Sequence, residues 1–287
     1  MAISEGAQII KDAISKALAS DEGCLIGRNG QIELDLMISE SDVPFTKLRI
    51  LEQNAGIFPS LQPYFFDKWK EATIKATIDA DVLVTGWYEP LREAEQAFLS
   101  GLPVTKKQIP LRSLEPYYLE LAEQWTQLLE GQDVAVISSF TMSAKKQVKK
   151  SSSIWGSRGV LPSNIKWHWI QTGYAPCIAE GSNEWSAHVN NWLEAANYVV
   201  SEVIKSGARI AIIGCGGLGM PIAKMLKDRG IIAIVMGGAI QVLFGIKGKR
   251  WESHPIISTF WNDEWVWPSI DETPLAAKAV EGGCYWK

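Results

Sequence analysis

One stretch narrows the choice of fold more than any other. Arg209-Ile210-Ala211-Ile212-Ile213 is a β-branched, apolar run that breaks into Gly214-Cys215-Gly216-Gly217-Leu218-Gly219. Met220–Arg229 then has helical character, with Pro221 in its first turn and Gly230 at its end. A second apolar run, Ile231–Met236, stops at Gly237-Gly238. Strand, glycine turn, helix and strand make a βαβ unit, which requires parallel pairing. The expected class is therefore α/β, a Rossmann-like, mostly parallel sheet flanked by helices.

The remaining chain fits that class. Ile10, Ile14 and Ala17 mark an amphipathic helix over Ala7–Leu18. Gly23–Gly27 reads as a buried strand, followed by the turn Arg28-Asn29-Gly30 and a helix over Gln31–Met37. Asp81–Thr85 is a further strand, ending in Gly86-Trp87-Tyr88. Leu111–Tyr118 leads into a helix through Trp125 to Leu129, and Asp133–Ile137 is the next strand. Thr141 or Ser143 then caps a helix. Residues 151–175 read as irregular and aromatic, whereas Trp192, Ala196, Val199 and Val203 mark a clear helix. At 287 residues and 47% hydrophobic content, the chain suits one domain over 1–287. The alternative is two closely packed lobes, 1–130 and 131–287, with the seam near Glu130-Gly131-Gln132.

Composition removes several classes of function. The net charge is −4, and the one dense basic stretch, Lys145–Lys150, reads as a solvated face, so no nucleic-acid partner is expected. Cys24, Cys177, Cys215 and Cys284 form no C-x-x-C pair, and there are three histidines. Neither a disulfide framework nor a zinc ribbon fits that spacing. No run approaches the ~18 apolar residues that would span a bilayer, and Met1–Glu5 has no leader-like character. The expectation is a cytoplasmic protein in a reducing compartment. Thirteen tryptophans is a high count, five of them late in the chain (Trp251, Trp261, Trp265, Trp267, Trp286). Core packing is the expected use of any one of them, and stacking on sugars or bases the alternative.

Gly214, Gly216 and Gly219 satisfy G-x-G-x-x-G between a strand and a helix, with Gly217 inside the turn. Glycines let backbone amides approach a phosphate at the positive end of a helix; a packing turn is the alternative. On this reading a branched side chain at Gly216 would fill phosphate space and leave the fold intact. A dinucleotide enzyme would place an acid after the next strand, but that strand ends Val235-Met236-Gly237-Gly238. This disfavours NAD and leaves a nucleoside diphosphate, held also near Gly237 and Gly238. Arg28 is a candidate phosphate clamp and Glu33 a candidate base or metal ligand, with an ordinary ion pair as the alternative. Lys247, Lys249 and Arg250 could neutralise a departing diphosphate, or form an ordinary basic loop.

Gly27-Arg28-Asn29-Gly30-Gln31-Ile32-Glu33 resembles the N-terminal signature of the GT-D-type glycosyltransferases. Gly237–Trp251, Glu281–Trp286 and Leu114-Glu115-Pro116-Tyr117-Tyr118 resemble related proteins of bacterial surface-polysaccharide loci and large DNA viruses. The resemblance implies transfer of a hexose or pentose from a nucleotide sugar, often UDP-linked, to a glycan acceptor, in the host cytoplasm for a viral member. Its first signature is an Asp-x-Glu that holds metal and donor. Here the glutamate corresponds to Glu33, but Gln31 takes the aspartate position. Gln is a poor ligand for manganese or magnesium, so weak metal dependence is expected, with Asp263, Glu264 and Glu272 as secondary ligand candidates. An NAD(P)-dependent oxidoreductase and a non-catalytic nucleotide- or sugar-binding protein are the rival readings.

Overall fold

The computed structural model describes residues 1–39, 43–103 and 107–287. Its strands are β1 (Cys24–Arg28), β2 (Val82–Val84), β3 (Lys107–Ile109), β4 (Asp133–Ser138), β5 (Lys166–Gln171), β6 (Ile210–Gly214) and β7 (Ile232–Val235). They form one sheet in the order β3-β2-β1-β7-β6-β4-β5, and every pairing is parallel. Parallel strands covered on both faces need continuous apolar runs. Leu25-Ile26, Val82–Val84, Val134–Ile137, Ile210–Ile213 and Ile232–Val235 supply them, all buried. The polar edge strand β3, with Lys107 and Gln108 exposed, discourages pairing with another chain.

The helices are α1 (Ile3–Ser20), α2 (Gln31–Ile38), α3 (Phe45–Ala55), α4 (Pro63–Asp79), α5 (Arg92–Ser100) and α6 (Leu111–Leu114). After β4 come α7 (Thr141–Gln147), α8 (Ser151–Trp155), α9 (Trp192–Ser206), α10 (Gly219–Lys227) and α11 (Ala239–Leu243). The steps β1 to β2, β5 to β6 and β6 to β7 run the same way along the sheet. Right-handed crossovers therefore put α4, α9 and α10 on one face, where α10 packs against both α4 and α9. The step from β4 to β5 runs the other way. The chain thus leaves β4 and β6 toward opposite faces, and a crevice opens at the carboxyl edge of the sheet. Asn191 starts α9 by accepting the amides of Leu193 (3.1 Å) and Glu194 (3.0 Å), a cap that contributes about 1 kcal/mol.

Most segments form where expected, with two corrections. Residues 151–175 are not simply irregular, because they contain α8 and the edge strand β5. In β5 the alternating Trp167 and Trp169 stack on one another and meet Phe244 edge-on. That period-two pattern was masked by its aromatic content. The stretch through Trp125 to Leu129 is 3₁₀ rather than α-helical. There Gln124 ties to the carbonyls of Leu119 and Arg158, and the Trp125 indole to that of Leu114. The one sheet draws strands from both sides of residue 131, with β1 paired to β7.

Tryptophans act as fasteners in this fold. Four buried indole N–H groups donate to a carbonyl of a different segment: Trp69 to Gly217, Trp155 to Leu243, Trp192 to Phe65 and Trp286 to Glu272, at 2.8–3.0 Å. A second fastener is Glu272, fully buried in the C-terminal segment. Its carboxylate accepts the amides of Met142 (2.7 Å) and Ser143 (3.1 Å), the Ser143 hydroxyl and the Ser269 amide. It thereby caps the first turn of α7 from a distant part of the chain. Replacing it, Glu272→Ala, strands several buried donors and is expected to cost about 3 kcal/mol or more. Thermal unfolding should show a fall of roughly 6 °C or more; an unchanged midpoint would show that water replaces the carboxylate.

Candidate functional site

All seven strands point their carboxyl ends into one cleft of about 750 Å³. Arg28 reaches it from the end of β1 and Glu33 just beyond, Trp87 after β2, Glu115 after β3, Phe140 after β4 and Tyr174 after β5. Gly214, Cys215, Gly216 and Leu218 follow β6, and Gly237, Gly238 and Gln241 follow β7. The C-terminal segment closes one side with Arg250, His254, Glu281 and Tyr285.

The two glycine turns differ in what occupies their missing side chains. A Cβ on Gly216 would lie 2.7 Å from the Ala55 carbonyl oxygen, and Gly216 has φ +59°. On Gly217 it would meet Ile57 at 2.8 Å, and on Gly214 it would meet Ile240 and the Gly237 carbonyl. On Gly219 it would meet Val235 at 3.0 Å. These glycines let the turn press against the end of α3 and the neighbouring core. The turn borders the cleft, but close packing already accounts for its glycines. At Gly237 (φ +60°) the corresponding space faces the Arg28 guanidinium at 3.2 Å. At Gly238 it faces Arg250 Nη1 and the Tyr285 ring, both at 3.1 Å. Adjacent glycines thus make room for two arginines from opposite ends of the chain.

Both guanidiniums are held by aromatic rings. Arg28 lies over Trp87 at 4.7 Å, and Arg250 over Tyr285 at 4.4 Å. Arg250 also pairs with Glu281 at 2.5 Å. Arg28 has no carboxylate within salt-bridge distance among the described residues, which leaves it open to an anion. Lys247 and Lys249 do not line the cleft. Lys247 lies over the Trp261 ring and Lys249 is exposed. Of the three expected cations in that loop, Arg250 alone reaches the cleft.

Glu33, at the third position of α2, folds back so that Oε2 lies where a Gly30 side chain would begin. Burial raises its pKa, partly opposed by its own backbone amide and by Arg28. Gln31 also borders the cleft, whereas Asp35 pairs with Lys47 at 2.7 Å outside it. The secondary ligand candidates lie elsewhere. Asp263 is exposed, Glu264 pairs with Lys150, and Glu272 caps α7. Among the described residues no group of three His, Cys, Asp or Glu side chains is arranged to hold a metal ion.

Glu115, Arg112, His254 and Glu281 are among the polar cleft residues that carried no assigned role in the sequence. Burial pushes the Glu115 carboxyl up to about 7, with Arg28 and Arg112 offsetting only part of that effect. Glu281, Gly282 and Gly283 are three successive left-handed residues (φ 47°, 70° and 81°). This tight reversal brings the Glu281 carboxylate to Arg250 and to the Cys284 thiol, 3.2 Å away. Left-handed backbone is uncommon for a residue with a side chain and marks an over-determined site. Burial raises the Cys284 thiol to about 12 and raises Cys215 as well, so neither is a ready nucleophile.

No protein-family model, no curated protein and no solved structure matches the chain. The packing around Gly216 makes its own prediction. Gly216→Ala should lower stability by about 1–3 kcal/mol, because the substitution meets both a left-handed φ and the Ala55 carbonyl. Gly216→Val should be worse, which corrects the expectation that it would spare the fold. Urea unfolding with an unchanged midpoint for Gly216→Ala would mean that α3 yields at no cost.

Proposed function

We propose that the chain is a glycosyltransferase that moves a hexose or pentose from a UDP-linked donor to a glycan acceptor. The observation that carries this reading is the arginine pair above Gly237 and Gly238 at the carboxyl edge of a parallel sheet. Departure of a nucleoside diphosphate leaves negative charge on the phosphate oxygens. Fixed guanidiniums in a partly desolvated cleft stabilise that charge without rearranging. Two features make the NAD(P) oxidoreductase the weaker reading. No acid follows β7, and Arg28 stands against Gly237. The resemblance of Gly27–Glu33 and Gly237–Trp251 to GT-D-type enzymes supports the choice of donor.

In this reading Arg28 and Arg250 hold the diphosphate, with Gly237 and Gly238 allowing its close approach. Glu33 orders the turn between β1 and α2 beside Arg28. A divalent ion fits the donor set poorly, because Gln31 is neutral and the Arg28 guanidinium stands beside Glu33. The transfer is accordingly read as carried by cations of the chain. A non-catalytic binding protein would bind UDP in the same place but release none from UDP-sugars.

Two measurements test this reading. Arg28→Ala and Arg250→Ala should each weaken UDP binding at least about tenfold, or about 1.4 kcal/mol, in titration calorimetry. Wild-type affinity in both variants would remove the arginine pair from the site. UDP release from UDP-sugars should survive EDTA in the natural protein, and Gln31→Asp should increase its response to manganese. Complete loss of release in EDTA, restored by manganese, would show that a metal does what the arginines are assigned.

A further inference from the structure

The cleft has a second chemically distinct end. β3 lies at the sheet edge two strands beyond β1, and Glu115 follows it. Arg28 therefore stands with Gly237 on one side and the Glu115 end on the other. Glu115 is only 9% exposed and has no salt-bridge partner among the described residues. The groups acting on it are Arg28 at the end of β1, Arg112 on α6 and the Tyr117 hydroxyl, with Tyr118 alongside. A buried carboxyl left without a close cation resembles a group kept for proton transfer more than a structural ion pair.

His254 completes this end. Its Nδ1 accepts the amides of Ile256 (3.2 Å) and Ile257 (3.1 Å). Two N–H donors on one ring nitrogen require that nitrogen to be bare, so the ring proton sits on Nε2. Burial, and then Arg112, lower the pKa of the ring and favour this neutral form. His254 lines the cleft with its ring held in this neutral form. The Arg112 guanidinium lies over Tyr118 at 4.7 Å, forming a flat rim at the same end.

We infer that this end is the acceptor subsite of the transferase proposed above, with Glu115 as the base and His254 as a fixed hydrogen-bond donor to the acceptor. The ligand class is a sugar hydroxyl, with water able to substitute slowly. As the acceptor oxygen bonds to the anomeric carbon, its proton passes to the Glu115 carboxylate. The bond from that carbon to the phosphate oxygen breaks, and its electron pair leaves with UDP, facing Arg28 and Arg250. Glu33, folded onto Gly30 in its own helix turn, is not the base in this scheme.

The inference rests on the transferase reading, and one experiment separates the two. UDP binding, and UDP release from a panel of UDP-hexoses and UDP-pentoses, are measured for the natural protein and for Glu115→Gln. Binding should stay within about twofold while release falls at least about 100-fold. A carboxyl near 7 is protonated below that pH and competent as a base above it. The kcat/KM for release should therefore rise with pH through about 7 in the natural protein and lose that limb in Glu115→Gln. Glu115→Asp should keep the limb. A natural protein that neither binds nor releases UDP overturns the transferase reading and this inference with it. UDP release by Glu115→Gln at the natural rate overturns this inference alone. Should Glu115→Gln fail to fold, a flat profile between about pH 6 and 8 in the natural protein overturns it equally.

Discussion

The pairing of β1 with β7 is the contact on which the rest of the site depends. Leu25 lies opposite Ala233 and Ile26 opposite Ile234, joining segments more than two hundred residues apart in sequence. Parallel register sends both strands out at the same edge, so Arg28 and Gly237 emerge side by side. No local signal could have done this, since a parallel pair gains nothing until the intervening crossovers are in place. The pairing also turns what could have been two lobes into one continuous sheet, with the cleft along a single edge.

The segment after α11 has little regular structure, yet it supplies Arg250, His254, Glu281 and Tyr285 to the cleft. Its position is held by side chains rather than by a ladder. The Trp155 and Trp286 indoles bond to backbone carbonyls, the Glu272 carboxylate takes the first turn of α7, and Trp155 and Trp265 meet edge to face. A coil fixed this way can bury backbone groups because side chains from other segments meet them. Most of the late tryptophans thus serve packing, and the cleft draws on Trp251 and Trp286 at its wall.

The two cleft arginines differ in how their charge is met. Arg250 meets Glu281 directly, whereas Arg28 acts on Glu33 and Glu115 from beyond salt-bridge range. Both carboxyls are buried, and desolvation dominates over the attraction of the arginines. The two raised carboxyls and the Arg28 guanidinium thus share one partly buried space without a direct ion pair among them.

The amino-acid sequence alone determined the class. The apolar runs ending at Ile213 and Met236, the intervening helix and the glycine turn admit only a parallel α/β sheet, because period and turn chemistry are local properties. It also marked Arg28, Glu33, Gly237, Gly238 and Arg250 as residues to watch, and all five border the cleft. It was less informative about β5, whose alternation was hidden by tryptophans, and about Lys247 and Lys249, whose nearness to Arg250 in sequence says nothing about direction. The glycines of Gly214–Gly219 look the same in sequence whether they admit a phosphate or the backbone of α3. Only the packed structure put Ala55 against Gly216, and only it gathered Glu115, Arg112 and His254 at one end of the cleft. Those neighbours are set by strand order and side-chain packing across the whole chain, and residues that meet that way leave no mark on each other's local sequence.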